Sequence, residues 1–96
     1  METRIRGAIE KMLDKQLEAE NLDTLSEFYD QYRLLIKSKE DAMFGDIFGT
    51  MGEKFVTVML DWEKKEPTEK EQQEFLDIMD RRAEEIRSKI LLTTSK

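Results

Sequence analysis

Apolar side chains in this chain recur at three- and four-residue steps and nowhere sustain a two-residue alternation, so the pattern demands amphipathic helices and offers no strand. Ile5, Ile9, Met12, Leu13 and Leu17 mark one face of a first segment running from about Thr3 to Ala19. Asn21-Leu22-Asp23-Thr24 breaks the pattern, and Thr24 with Glu27 three residues on forms a capping-box signature, with Asp23 a competing cap. The second segment then carries Leu25, Phe28, Tyr29, Tyr32, Leu35 and Ile36 as a stripe expected to face the core rather than a ligand. Ser38 is the expected N-cap of a third segment, about Lys39 to Lys65, with Phe44, Phe48, Met51, Phe55, Val58, Met59 and Trp62 along one stripe. Pro67 ends that run, and Thr68 with Glu71 is the best capping box of the sequence. A fourth helix follows, with Phe75, Leu76, Met79, Ala83, Ile86 and Ile90 on one face and Thr93 to Lys96 as a fraying tail. Four such helices with short links predict one all-α domain over residues 1–96, a four-helix antiparallel bundle.

The third segment is the least ordinary. Gly45, Gly49 and Gly52 fall together on its flank with Val56, and each interior glycine costs about 1 kcal/mol relative to alanine. Either the helix is continuous and the glycines pave a strip where another backbone approaches, or the chain breaks near Gly45–Gly49 and restarts at Thr50, capped with Glu53. In both cases this is the expected partner-binding region, through Phe44, Gly45, Phe48, Gly49, Gly52 and Trp62, and its apolar excess, Ile47 included, points to an oligomer or a protein partner.

Composition removes most chemistry. With no Cys and no His, disulfides, cysteine nucleophiles, Cys/His zinc sites and Ser-His-Asp triads are excluded. Carboxylates at helical spacing, such as Asp77 with Asp80 or Asp80 with Glu84, are expected to be a solvated face in a chain holding 22 acids. The run from Gly45 to Lys54 superficially suggests a phosphate loop, but it lacks the Gly-x-x-x-x-Gly-Lys-Ser/Thr spacing and a preceding strand. No catalytic residue, metal ligand, cofactor or small-molecule substrate is therefore expected, and the chain is not expected to be an enzyme.

Charge is abundant and uneven. The net charge of −6 makes this an acidic protein and argues against generic binding to nucleic acid. Residues 61–80 hold eight acids and three bases, whereas 81–96 hold five bases and two acids. Arg81, Arg82 and Arg87 are candidate contacts for phosphate or an acidic partner, the basis of an alternative reading as a small nucleic-acid-associated protein. Dipole compensation and pairs such as Asp77 with Arg81 explain the same arginines within the helix. No stretch approaches a membrane span, and the opening residues show an acid at once and no apolar run, so neither membrane association nor a secretory leader is expected and the expected compartment is the cytoplasm.

The run from Glu10 to Ile36, with Phe28-Tyr29 opening a second helix that ends in an apolar pair, resembles the opening of the helical domain of archaeal GINS subunits. The stretch from Phe75 to Leu91, with basic residues before Ile90-Leu91, is similar to that domain's closing helix. The resemblance implies a non-enzymatic adaptor, a scaffold subunit of the replicative helicase contacting its ring and a RecJ-like partner. The chain departs from that family in its glycine-rich third segment and in lacking a small β-domain after the helices, so no partner-contacting residue carries over.

Overall fold

The computed structural model describes residues 1–95, and among these the regular structure is helical. Five α-helices occur rather than four: α1 (Thr3–Gln16), α2 (Ala19–Asp30), α3 (Lys39–Val58), α4 (Glu69–Arg81) and α5 (Ala83–Thr94). A π-helical turn, Met59–Glu63, extends α3. It stops at Lys64, whose φ of 58° is the left-handed conformation that ends a helix.

The first break falls at Leu17–Glu18, not at Asn21–Thr24. Leu17 and Leu22 are both buried, yet five residues place them about 140° apart on a straight helix. An extended Glu18 turns both inward. Asn21 then caps the end of α1, its amide donating to the Lys15 carbonyl at 2.6 Å. Thr24 is no cap; it sits inside α2 and donates to Glu20.

The second segment is shorter than its stripe suggested. The amides of Gln31 and Tyr32 donate three residues back, to Phe28 and Tyr29, and helix gives way to turns. Asp30 closes the loop by pairing with Lys39 at 2.7 Å and Arg33 at 3.4 Å. The stripe expected in the core is there only in part, with Leu25 and Tyr29 packed against the buried residues. Phe28, Tyr32 and Leu35 are exposed, Leu25, Tyr29 and Ile36 are half-buried, and Leu22 and Ser26 are the buried residues of α2.

The two strongest caps are where the sequence placed them. Ser38 Oγ accepts from the Asp41 amide at 3.1 Å. Thr68 and Glu71 form the reciprocal box, at 3.1 and 2.9 Å. From Ser38 onward α3 runs unbroken through all three glycines. Its buried line is Met43, Ile47, Met51, Phe55 and Met59, a strict four-residue step. Met51, Phe55 and Met59 of the expected stripe lie on that line, Phe44 and Val58 pack half-buried beside it, and Phe48 and Trp62 are exposed.

Side-chain pairings give the path. Arg4 lies over the Trp62 ring at 4.7 Å, so α1 runs antiparallel to α3. Phe75 stacks on Phe55 at 4.8 Å, Arg87 lies on Phe44 at 4.3 Å, and Thr94 donates to Glu40 at 3.1 Å, so α4 and α5 also run antiparallel to α3. Arg6 pairs with Glu74 at 2.7 Å and Arg82 with Asp14 at 2.6 Å, which sets α1 and α4 side by side in the same direction. The chain thus makes three passes: α1 then α2, back along α3, then α4 then α5. An up-down-up-down bundle would make its first and last helices antiparallel; here they are parallel because each outer pass is one broken rod. The long dimension, 41 Å, fits the 25 residues of α3 and its π turn at about 1.5 Å each.

Arg82 occupies the break in the last pass, at φ −102° and ψ 4°. It falls on the four-residue line of Ile78, Ile86 and Ile90, all buried. Its guanidinium escapes that line by reaching α1, where it meets Glu10 at 3.1 Å and Asp14 at 2.6 Å, and it folds back on Glu85 at 2.8 Å. The α5 helix extends through the tail expected to fray, burying Thr93; Lys96 lies outside the described residues. Arg82→Ala leaves three carboxylates facing one another and should cost about 1–3 kcal/mol, below the figure for a fully buried pair. Thermal melts should show a Tm lower by roughly 4–8 °C per kcal/mol, with Arg82→Lys in between because a single ammonium cannot serve three partners.

Candidate interaction surface

The core line of α3 fixes what its other side presents. Gly45 and Gly49 are exposed, Gly52 is half-buried, and Phe48 and Val56 are exposed beside them. A Cβ built on any of the three glycines meets nothing within 4 Å. The strip is therefore open, with no backbone of this chain against it, and neither a break nor a positive φ explains the glycines. The phosphate-loop likeness also dissolves, since the run from Gly45 to Lys54 lies inside a helix whose amides bond to their own turn.

The other candidates separate from that strip. Phe44 is covered by Arg87, which also approaches Asp41 at 3.4 Å. Phe48 contacts the Phe75 ring edge-on at 6.2 Å. Trp62 sits on the π turn under Arg4, away from the glycines. Phe44, Phe48, Leu76, Met79 and Ala83 line a cleft of about 480 Å³ between α3 and the last pass, so Phe44 and Phe48 belong to one feature and Trp62 to another.

The three arginines are embedded in acid. Arg82 is engaged by Glu85, Asp14 and Glu10, which raise its pKa further. Arg87 is held by Asp41 and Phe44. Arg81 shares a shallow cleft with Glu74, Asp77 and Asp80. Asp77 itself accepts from Gln73 at 3.0 Å. Among the described residues no three potential metal-binding side chains converge, and no helix is long and apolar enough to cross a membrane.

The sequence reading missed a second apolar surface. Leu34 and Leu35, in the α2–α3 loop, are 97% and 81% exposed. Leu91 and Leu92 are exposed on the last turn of α5, at the same end of the molecule, because Thr94 bonds to Glu40 at the start of α3. The signal was present in Leu34-Leu35-Ile36 but was absorbed into an over-extended helix. No family model, no curated protein and no solved structure matches the chain.

Two measurements follow from this geometry. Gly49→Ala and Gly45→Ala should each stabilise the isolated chain by about 0.5–1 kcal/mol, read from denaturant melts, because the helix gains propensity and the added methyl meets nothing. Glu71 and Glu85 are each held down to about 2 from 4.5, the first by Lys65 and the Thr68 amide, the second by Arg82 and Lys89. Both bind protons less readily folded than unfolded. Their contribution is whole above about pH 4.5 and is lost as the pH falls toward 2. Tm should drop across that window, and Glu85→Gln should flatten part of the drop while lowering Tm at neutral pH.

Proposed function

We propose that this chain is a non-catalytic helical interaction module, an adaptor or oligomer subunit that works by packing the outer face of α3 on a second copy or a protein partner. The observation that carries the reading is the open glycine strip beside exposed Phe48 and Val56. Three interior glycines weaken a helix and nothing inside the chain repays that loss, whereas a partner backbone laid on the strip would. The resemblance to the GINS helical domain supports reading such a module as a scaffold subunit in DNA replication. The reading assigns it to the cytoplasm, away from membranes, with no cofactor and no small-molecule substrate.

The alternative, nucleic-acid binding through Arg81, Arg82 and Arg87, is weakened by the carboxylates that hold or surround these side chains. It requires a salt-dependent mobility shift of DNA or RNA that Arg81→Ala and Arg87→Ala reduce. We expect unchanged mobility at low salt.

Gly49→Leu tests the main reading, because a Cβ at this exposed position meets nothing of the isolated fold within 4 Å. The variant should melt no lower than the wild type, with the helix propensity of leucine raising its Tm, yet lose assembly in sedimentation or lose the partner recovered from lysate by the wild type. A wild-type chain that stays monomeric at micromolar concentration and recovers no partner would count against the proposal.

A further inference from the structure

We infer that the α2–α3 loop of one copy docks in the α3–α4 cleft of a second copy, so that the protein associates head to tail. This rests on the interaction-module reading above and supplies its partner: the chain itself.

Three observations point to the match. The first is shape. Leu34 and Leu35 project with almost no contact to their own chain, while the largest clefts lie elsewhere, so the loop end is a knob and not a socket. At the other end a cleft of about 410 Å³ is lined by Phe55, Val56, Pro67, Phe75 and Leu76, with Glu66 among the lining residues. That volume lies within the roughly 300–1,000 Å³ of ordinary binding pockets and accommodates two leucine side chains. The second is charge. At the loop end Asp30 pairs with Arg33 and Lys39, and Arg87 and Lys89 pair with Asp41 and Glu85, so Lys37 is the base beside the knob that remains to be matched. The cleft borders residues 61–80, where eight acids face three bases. Lys37 beside the knob and Glu66 in the cleft make no ion pair among the described residues. Two loop ends meeting each other would bring Lys37 towards Lys37, whereas loop on cleft brings Lys37 towards Glu66.

The third is distance. The knob precedes Lys39 and the cleft includes Val56, so about 26 Å of helix separates them. One chain cannot fill its own cleft. A contact between two different patches is heterologous and propagates to a ring or an open row instead of stopping at a pair. The contact is end-on and small, which places it among weak, concentration-dependent associations.

Sedimentation velocity from micromolar to near-millimolar concentration, at low and high salt, tests this on the whole chain. Wild type should grow past the dimer with concentration and shrink with salt. Leu34→Ser with Leu35→Ser, which spoils the knob, and Leu76→Lys, which spoils the cleft, should each weaken growth about tenfold or more. Mixed together, the two variants should form a heterodimer that grows no further, since each brings the half the other lacks. The exposed swap guards against misfolding: Lys37→Glu and Glu66→Lys should each weaken association, and the double variant should restore it. Wild type that remains monomeric throughout overturns the inference. So does a pair that closes at two copies. Assembly that ignores the knob, cleft and swap variants but yields to Gly49→Leu also overturns it, while leaving the open face of α3 as the working surface.

Discussion

The buried line Met43, Ile47, Met51, Phe55 and Met59 is the constraint on which the remaining structure depends. A strict four-residue step advances about 40° around the helix at each repeat, so these five side chains wind along α3 rather than keep to one edge. Packing a winding line demands neighbours that change along its length. The first pass supplies α1 at one end of α3 and α2 at the other, and the last pass supplies Phe75 of α4 and then the length of α5. The π turn continues the line to Met59 before the left-handed Lys64 stops it. Breaks in the outer passes follow from the way the central line turns.

The two breaks lie at about one level of the molecule, and Arg82 joins them. One break comes from the five-residue spacing between Leu17 and Leu22, which no straight helix can bury on one side. The other has an arginine on an isoleucine line, Ile78 to Ile90, where a buried cation would be costly without partners. Glu10 and Asp14, on the last turns of α1, provide them. A surface ion pair is worth little. Here one guanidinium only 17% exposed meets three carboxylates from two passes, so register between α1 and α4 is tied to the position of the kink.

Much of the architecture is legible where local chemistry is decisive. Ser38 and the Thr68–Glu71 box start helices because they satisfy free amides in one turn, with no tertiary help. All-helical class and the end near Pro67 follow from equally local rules, whereas the continuity of α3 does not, because three interior glycines leave a break open. The Thr24 box failed because burial of Leu17 and Leu22 outweighed a cap worth about 1 kcal/mol. The stripe from Leu25 to Ile36 failed for a related reason: periodicity records that a face exists, not how far the helix extends. Asp30 turning to Lys39 ended it, and that partner lies across a loop. The Arg82 break has no Gly, Pro or cap to announce it, and only the three-dimensional position of Glu10 and Asp14 reveals its reason. For the site, the glycines and Val56 were visible as an unusual flank beside a stripe holding Phe48, but Leu34 and Leu35 were hidden by the wrongly extended helix.

Three passes also explain why so much apolar surface remains outside. A helix at the centre of a four-pass bundle has neighbours on most sides, whereas α3 has one pass on each flank and a free back. Evolution of a stand-alone domain would coat that back with long polar side chains, which cover apolar stems and favour helix. Instead it holds Gly45, Gly49 and Val56, with Phe48 at the edge and Leu34-Leu35 beyond its start. Lys37 beside the loop leucines and Glu66 after α3 lie towards opposite ends of the long axis, and neither makes an ion pair among the described residues. A smooth back and a projecting apolar end each weaken or endanger an isolated monomer, and the two separated charges gain nothing within it. All three would become favourable if another chain completed the surface, and that shared direction is the physical ground of the proposal that α3 serves as an interface as well as a core.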